Sequence, residues 1–418
     1  MTPVELSRTV LRAVRRAVED GELRVAVPEK ASVTVPGAGG WGDYATNIAL
    51  QLARPAGETP RRVAEVLRPH LAGAHGVSGV EITGPGFLNI SLGSTASTSL
   101  VEEILRRGPR YGFVEFEGFV GFEGFVEGDG AGHDGPTDRP VHLHAPHDPR
   151  ALVLMDVIAR LLRSQGTPVR TSCERRPEPE WTAALRIDVD ANGTLAALAT
   201  AAALATPAPP AAPTTPAAPT TPAPLDVDVR PVPAPDLAVL LSLGPDAARW
   251  ALLHPAAHDR PRPTAELLVQ GEGNPLFRVR YAHARTRAVS RNAADLGFTA
   301  RPGDVDEGVQ EDVHGDTAPT TAPPVRTPPP AHPAPLLAHL ADHPRLLARA
   351  AAHRAPDLLA RHLVAVADAT LPLLPTTLPL GDEKPLAAHR ARLALAEAAG
   401  VVLAGGLYLL GIDAPEHL

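Results

Sequence analysis

Proline-rich runs constrain this chain more than any other feature, because they divide it into separate folding units. Residues 199–235 and 317–335 are dominated by Ala, Pro and Thr, and a short repeat, GFVEFEGFVGFEGFV, occupies residues 112–126. Such segments have too little apolar surface to form a core, so we expect extended, semi-rigid spacers. The 418 residues, of which 47 are proline and 35 glycine, are therefore not expected to form one continuous domain.

Helix and strand signals between the spacers predict a multidomain protein with α/β units followed by an all-α bundle. In the first unit, Thr2 and Glu5 form a capping box, and apolar residues then recur every four positions. Those apolar residues are Leu6, Val10, Val14 and Val18. The predicted boundaries are 1–107 (N-terminal α/β domain), 108–139 (Gly/Phe/Glu linker), 140–198 (second α/β unit), 199–235 (Ala/Pro/Thr linker) and 236–418 (helical bundle with a disordered insert at 299–335).

Cysteine content, charge and hydropathy limit the classes of protein. Cys173 is the single cysteine, so an internal disulfide or a thiolate metal cluster is ruled out, as is common for proteins of the reducing cytosol. Charged residues occur throughout the N-terminal segment, which argues against a signal peptide. Residues 393–410 are apolar but contain Glu397, so we expect a buried helix rather than a membrane span. These features predict a cytoplasmic protein with no membrane partner.

Several motifs, taken in chain order, resemble arginyl-tRNA synthetases. WGDYATNIALQLA and GPGFLNISL look like that family's N-terminal additional domain. GPDAARWALL looks like the Asp-Ala-Leu-Arg (DALR) motif of its anticodon-binding bundle, and GNPLFRVRYAHAR and RLALAEAAGVVLAGGLYLLGIDAPEHL look like the first and last helices of that bundle. The DALR motif reads Asp246, Ala247, Ala248 and Arg249 in this chain. The resemblance covers roughly residues 1–92, 140–170, 236–298 and 336–418 and implies an elbow-binding domain, a Rossmann-like catalytic remnant and an anticodon-binding bundle.

The N-terminal motifs imply a surface for the tRNA elbow. In the family, an aromatic and an amide two residues apart on this strand contact a splayed D-loop base, and the matching positions here are Phe87 and Asn89. Strand side chains alternate, so both would share one face. Tyr44 and Asn47 of the preceding motif are included in this predicted site. The alternative is that Phe87 belongs to the core and Asn89 caps a turn.

A basic helix that begins near Asn274 is the candidate anticodon-binding element. Phe277 and Tyr281 lie on one stripe with two alanines, and arginines flank the stripe on both sides. Arginine neutralises phosphates while an aromatic ring stacks on a base, which suits single-stranded RNA. A packed helix with solvated arginines is the alternative. The predicted contact residues are Arg280, Tyr281, Arg285, Arg287, Arg291 and His417, the last replacing the arginine of the Ala-Pro-Glu-Arg-Met ending that is typical of the family.

The resemblance also implies class I signature loops, which this chain lacks. Family members carry His-x-Gly-His after the first Rossmann strand, whereas Ala145, His147 and Asp148 stand at the first, third and fourth of these positions. The second signature needs lysine, and none occurs between Lys30 and Lys384. Only roughly 100 residues stand where the family has a full catalytic domain. We therefore predict that these are degenerate positions, with no catalytic residues, no ATP or other cofactor and no adenylation.

Histidines around this loop allow a metal site as a further hypothesis. His142 and His144 would share one strand face, and His147 and Asp148 could complete a tetrahedral set. The alternative, stray histidines in a decayed loop, predicts no metal.

Together these features predict a non-catalytic arginyl-tRNA synthetase relative that holds tRNA by its elbow and anticodon. The predicted partners are tRNA, arginine isoacceptors among them, and arginyl-tRNA synthetase itself. Two alternatives are left open. One is a residual or partner-dependent arginine-tRNA ligase or arginyl-transfer enzyme, and the other is a protein-interaction scaffold for the true synthetase.

Overall fold

The computed structural model describes residues 3–34, 36, 42–114, 141–194, 227–234, 236–305, 333–381 and 383–418. Most of the predicted linkers, most of the predicted disordered insert and Thr2 of the capping box lie outside these residues. The described residues contain both α/β units and the helical bundle, so the predicted fold class is confirmed.

The N-terminal unit is a four-stranded antiparallel sheet with helices packed against one face. Its elements are α1 (Pro3–Glu19), β1 (Val33–Thr34), β2 (Tyr44–Thr46), α2 (Ile48–Ala56), α3 (Pro60–Ala72), β3 (Val77–Thr83), β4 (Phe87–Leu92) and α4 (Ser94–Arg107). The strands are ordered β1-β2-β4-β3. Leu6, Val10 and Val14 of the predicted α1 stripe are fully buried in one core with Leu88 and Ile90 of β4, which confirms the four-residue periodicity.

The middle unit is a parallel sheet with crossover helices. It contains β5 (Val141–Ala145), α5 (Pro149–Ser164), β6 (Val169–Cys173), α6 (Pro179–Leu185), β7 (Ala191–Asn192) and β8 (Val227–Asp228). The strands are ordered β7-β6-β5-β8, and every pairing is parallel. Parallel strands need crossover connections, so this is the arrangement expected of a reduced Rossmann-like unit.

The C-terminal unit is helical. Its helices are α7 (Leu237–Ser242), α8 (Gly244–Leu253), α9 (Pro275–Asp295), α10 (Ala334–His353), α11 (Pro356–Thr370) and α12 (Ala387–Leu410). Helix α12 packs against α9 and α11 and lies at the centre of the bundle. Glycines of α12 allow this close packing, because a Cβ at Gly400 would lie 2.5 Å from Oγ1 of Thr286 in α9, and a Cβ at Gly406 would overlap the side chain of Leu363 in α11.

One apolar core runs through the middle unit and the bundle. Twelve of the 16 residues of α5 are buried, because the helix packs against the sheet on one side and against α10 and α12 on others. The same core includes Leu143 of β5, Leu363 of α11 and Leu403 of α12. Leu100 and Ile104 of α4 also belong to this core, so α4 joins the N-terminal unit to the bundle.

Two helical segments of the bundle have the length and hydropathy of membrane spans. They cover residues 356–376 and 387–410, and 50% and 78% of their apolar windows are buried inside the protein. Burial against other helices accounts for the apolar composition of α12, as expected from the sequence.

Candidate nucleic-acid interface

Asn274 fixes the start of α9 and the loop before it. Its side-chain oxygen accepts hydrogen bonds from the backbone nitrogens of Leu276 at 3.0 Å and Phe277 at 3.3 Å. Its amide nitrogen donates to the carbonyl oxygens of Leu267 at 2.8 Å and Val269 at 3.0 Å. Asparagine is a favoured N-cap residue, and here it also fastens the loop against the first turn of the helix.

Helix α9 packs through a different face from the one that carries its aromatic residues. Tyr281 is 37% exposed and Phe277 is half-buried. His283 lies on the packed face, where burial lowers the pKa of its imidazole and keeps the ring neutral. The buried residues of the helix are Leu276, Val279, Ala282, His283, Ala284, Thr286, Val289 and Ala293. Tyr281 is therefore available on the surface and Phe277 is partly available, whereas Ala284, one of the two alanines of the predicted stripe, is buried.

The half-buried Phe277 and the exposed Tyr281 stack on each other beside a groove. Their ring centroids are 5.4 Å apart and their planes differ by 17°. The groove has a volume of about 220 Å³, and its walls include Leu268, Val269, Phe277 and Arg280. A flat aromatic surface next to apolar walls and a guanidinium offers the contacts that an unpaired nucleic-acid base needs.

The predicted arginines of α9 have different partners. Arg280 lines the groove, and its guanidinium lies 3.4 Å from the carboxylate of Asp246. Arg285 is exposed and forms no ion pair with any residue that the structure describes. Arg285 can therefore neutralise a phosphate without first giving up a carboxylate, whereas Arg280 cannot.

The two remaining arginines contact the segment that follows α12. Arg287 lies 3.1 Å from Oε1 of Glu416. Arg291 donates to the carbonyl oxygen of Glu416 at 3.3 Å and to Nδ1 of His417 at 3.3 Å. The structure thus brings His417 next to Arg291 of α9. It also adds Glu416, which no local pattern indicates because 129 residues separate it from Arg287.

The predicted elbow-binding residues do not share one environment. Phe87 is 39% exposed, which contradicts the alternative that it belongs to the core. Asn89 is only 4% exposed, and its amide donates to Oγ1 of Thr83 at 3.1 Å across the hairpin. The turn before Phe87 includes Gly86 with φ +139°, where a Cβ would lie 2.7 Å from the carbonyl oxygen of Pro60. Phe87 is thus presented by a constrained hairpin.

Tyr44 faces the opposite side of the sheet from Asn89. It pairs directly with Ile90, whereas Ala45 pairs with Asn89, and opposite residues of an antiparallel pair point to the same face. Tyr44 is 4% exposed, and burial raises the pKa of its hydroxyl above the usual range. The grouping of Tyr44 with Phe87 and Asn89 was therefore wrong, because the sequence does not reveal this strand register. Asn47 is half-buried and accepts a hydrogen bond from Gln51 at 3.0 Å.

The loop between β5 and α5 holds the positions aligned with the first class I signature. Ala145 is fully buried, and Asp148 caps α5 by accepting a hydrogen bond from the backbone nitrogen of Ala151 at 2.9 Å. Nε2 of His147 lies 3.1 Å from Oε2 of Glu178, and Nδ1 accepts a hydrogen bond from Arg175 at 3.0 Å. A helix N-terminus can bind phosphate through free N–H groups, but here a carboxylate occupies that position.

Arg150 closes the same end of α5 with backbone oxygens. Its guanidinium is fully buried and lies within hydrogen-bond distance of six carbonyl oxygens. The shortest contacts are to Val232 at 2.6 Å, Asp259 at 2.7 Å and Ala256 at 2.8 Å. The segment after β8, where the second signature would lie, is thereby fastened to the loop that follows α8. The side chain of Arg150 and these two backbone segments therefore fill the space at this end of α5.

The histidines of the metal hypothesis do not converge. His142 and His144 share a face as predicted, and both rings contact Oγ of Ser172, at 2.7 and 2.8 Å. His147 and Asp148 are engaged elsewhere, with Glu178 and the α5 N-terminus. Among the described residues no group of three or more His, Cys, Asp or Glu side chains is placed to hold a metal ion. Ser172 and His144 are buried, so a substrate has no access to the Ser172 hydroxyl between the two histidines.

Arg249, the last residue of the stretch that resembles the DALR motif, joins the bundle to the middle unit. It is fully buried and donates to Oδ2 of Asp156 at 2.6 Å, to the carbonyl oxygen of Leu410 at 2.8 Å and to that of Leu185 at 2.6 Å. These partners come from α5, the end of α12 and the end of α6. A cation there also complements the negative ends of two helices. Arg249 therefore links α8 to α5, α6 and α12.

Comparison with known proteins agrees with this architecture. Residues 5–92 match the arginyl tRNA synthetase N terminal domain, and residues 279–418 match the DALR anticodon binding domain. The chain is similar to the arginine–tRNA ligase of Renibacterium salmoninarum, with 42% identity over 172 residues, which are 40% of this chain and 30% of that protein. It is similar to the arginine–tRNA ligase of Frankia alni, with 46% identity over 112 residues, 27% of this chain and 20% of that protein. The chain thus matches about 30% or less of the length of these relatives.

Solved structures show the same fold over a longer stretch. The arginyl-tRNA synthetase of Thermus thermophilus matches with a TM-score of 0.60 and 16% identity, covering 100% of both chains. The arginyl-tRNA synthetase of Plasmodium falciparum matches with a TM-score of 0.62 and 10% identity, covering 100% of this chain and 99% of that one. The chain therefore resembles the arginyl-tRNA synthetases in overall fold, with residues 5–92 similar to their N-terminal domain and residues 279–418 similar to the DALR anticodon binding domain.

Proposed function

We propose that this protein is a non-catalytic tRNA-binding relative of arginyl-tRNA synthetase, with arginine isoacceptors as the first candidate ligands. The observation that carries the proposal is the stack of Phe277 with the exposed Tyr281 on α9, next to Arg285, which forms no ion pair with any residue that the structure describes. Tyr281 and Arg285 lie within residues 279–418, which match the DALR anticodon binding domain. Aromatic rings bind unstacked bases and arginines neutralise phosphates, so this face suits a single-stranded loop.

The middle unit supports the non-catalytic part of the proposal. ATP-dependent adenylation needs groups that stabilise charge on the phosphates. The aligned positions instead hold Ala145 and the helix-capping carboxylate of Asp148. The guanidinium of Arg150 donates its hydrogen bonds to backbone carbonyl oxygens of the protein. A carboxylate at the α5 N-terminus repels a triphosphate. The chain is thus expected to keep RNA binding without activating arginine.

Replacing Tyr281 by alanine should weaken tRNA binding by about 5- to 150-fold, because one stacked base loses its platform. The measurement is filter binding of the purified protein and the variant to an arginine tRNA and one unrelated tRNA, at two salt concentrations. Tyr408→Ala is the matched control, since Tyr408 is 44% exposed on α12, beside Arg160. Equal affinity of the Tyr281 variant and the intact protein would contradict the anticodon assignment.

The same protein preparation can be used to distinguish the proposed function from the enzyme alternative. We expect no arginine-dependent exchange of pyrophosphate into ATP, with or without tRNA. Exchange above background would show that adenylation persists and would replace the proposal with a residual arginine-tRNA ligase.

Replacing Phe87 by alanine should weaken binding of intact tRNA by about fivefold or more while leaving binding of an isolated anticodon stem-loop unchanged. Phe87 is the exposed residue of the predicted elbow site, so the substitution removes a stacking surface at little cost in stability. Competition between full tRNA and the stem-loop measures both. Asn89→Ala is a poorer probe, since it also removes a bond to Thr83 and should cost about 1 kcal/mol of stability. Equal losses for tRNA and stem-loop would argue against an elbow contact at Phe87.

A protein-interaction scaffold is the second candidate function. Leu268 and Val269 at the rim of the groove are 55% and 59% exposed, which suits a protein partner as well as a base. Arginyl-tRNA synthetase is the partner that this version names. It predicts that the synthetase co-purifies with the protein while neither tRNA is retained on the filter.

A further inference from the structure

Most of the arginines on α9 are already neutralised within the protein. Arg278 pairs with Asp368 at 2.8 Å and Arg280 lies near Asp246, as described above. Arg287 pairs with Glu416. A phosphate group that approaches these arginines therefore competes with a carboxylate of this chain, and the competing carboxylates differ in how firmly they are held.

Asp246 and Asp368 belong to regular helices, whereas Glu416 does not. Asp368 lies in α11 and Asp246 in the first turn of α8, where Asp246 also accepts hydrogen bonds from Arg186 at 3.1 Å and from the backbone nitrogen of Asp413 at 3.1 Å. Residues 412–418 contain no helix or strand. Glu416 is therefore the carboxylate on this face that can move without disturbing a helix.

The segment 412–418 is anchored at its beginning and exposed at its end. Ile412 is 3% exposed, and its backbone nitrogen donates to the carbonyl oxygen of Leu407 at 2.9 Å. Asp413 pairs with Arg186 at 2.7 Å, and the carbonyl oxygen of Pro415 accepts a hydrogen bond from Nδ1 of His283 at 2.9 Å. Residues 416–418 are exposed. Movement would thus begin after Pro415.

We infer that Glu416 is an internal competitor of RNA, whose carboxylate holds Arg287 in the free protein and yields to a phosphate when RNA binds. The inference rests on the proposed function and adds a means of regulation to that site. The side chains of Arg287 and Glu416 are 50% and 59% exposed, so their ion pair is weak and screened by salt. A polyanion with closely spaced phosphates can displace the carboxylate from Arg287, whereas a single small anion gains little binding free energy by doing so. The pair therefore suppresses weak binding without blocking RNA.

Replacing Glu416 by glutamine should tighten binding of an arginine tRNA transcript by about two- to fivefold at low salt, the scale of one exposed ion pair. The gain should shrink towards unity as salt rises, because screening removes the competitor in the unaltered protein. Glu180→Gln is the matched control, since Glu180 is exposed on α6 and changes the net charge equally. In an Arg287→Gln background, Glu416→Gln should have no effect.

Hydrogen exchange supplies a second readout that does not depend on affinity. On addition of the tRNA, the hydrogen-exchange rates of the backbone amides of Glu416, His417 and Leu418 should change, while the amide of Ile412 stays protected from exchange. If the intact protein binds tRNA and Glu416→Gln binds no better than Glu180→Gln, the inference is overturned and the proposed function stands. If neither the intact protein nor any variant binds tRNA, the proposed function falls and the inference falls with it.

Discussion

Replacing Arg249 by methionine should lower the free energy of unfolding by about 3–5 kcal/mol, the typical cost of removing one partner of a buried ion pair. The guanidinium is fully buried, and its loss leaves Asp156 without its 2.6 Å partner and the carbonyl oxygens of Leu410 and Leu185 without a donor. Arg160, which lies 3.1 Å from Asp156, keeps part of the compensation and favours the lower end of this range. Urea denaturation followed by circular dichroism measures the change.

A surface arginine provides the control for this substitution. Arg285 is exposed and unpaired among the described residues, so Arg285→Met should change stability by less than about 0.5 kcal/mol. Gly411 lies against the same guanidinium, since a Cβ there would be 2.5 Å from Cζ of Arg249. A loss below about 1 kcal/mol for Arg249→Met would mean that water or a rearranged Arg160 solvates Asp156, and the joining role would have to be abandoned.

The organisation of the elements was predictable because it depends on local patterns. The four-residue apolar repeat of α1 and the start of α9 near Asn274 are read directly from neighbouring residues. The strand, loop and helix at 141–164 follow from the same kind of signal. Helices and strands are determined largely by residues within a few positions of one another.

Contacts between distant residues were not predictable. Arg249 and Asp156 are 93 residues apart, and Arg150 and the carbonyl of Ala256 are 106 apart. Tyr44 was misplaced for a related reason, because its face depends on which residue of β4 it pairs with. A shift of one residue in that register would have placed it beside Asn89.

The exposed face of α9 could be predicted only in part from the sequence. The aromatic stripe of α9 and the arginines beside it were identified from sequence, yet the sequence alone did not separate a packed stripe from an exposed one. The separation came from His283 and Thr286, polar residues that occupy the packed face. A buried neutral histidine has the pattern of a polar surface residue, so periodicity assigns it to the wrong side.

Acidification from pH 7 to pH 5 should lower the free energy of unfolding by about 2 kcal/mol through His343 alone, at about 1.4 kcal/mol per pH unit below the unfolded pKa. Complete burial lowers the pKa of His343 to about 3. The unfolded chain therefore takes up a proton below about pH 6.5 that the folded protein refuses, and stability is full above that pH and falls below it. Urea midpoints measured between pH 5 and pH 8 test this dependence.

His343 belongs to a stack of rings, which extends the same effect to its neighbours. Its ring lies 5.2 Å from that of His362 and 5.9 Å from that of Tyr111, between α10, α11 and the segment after α4. Burial is the first cause that lowers the pKa of His362, and repulsion from His343 and then His339 adds to it. Protonating either ring would place an unpaired charge where the N-terminal half meets the bundle. The free energy of unfolding should therefore fall more steeply with decreasing pH than His343 alone would make it fall.

Replacing His343 by leucine removes the titrating group and keeps an apolar side chain at the site, so the variant should lose about 1.4 kcal/mol less per pH unit between pH 6.5 and pH 5 than the intact protein does. His258→Leu is the matched control, because the His258 side chain is 86% exposed and its loss should leave the pH dependence unchanged. If His343→Leu and the intact protein lose stability in parallel on acidification, the buried stack is already protonated or hydrated in the folded state. The acid sensitivity would then arise from another group.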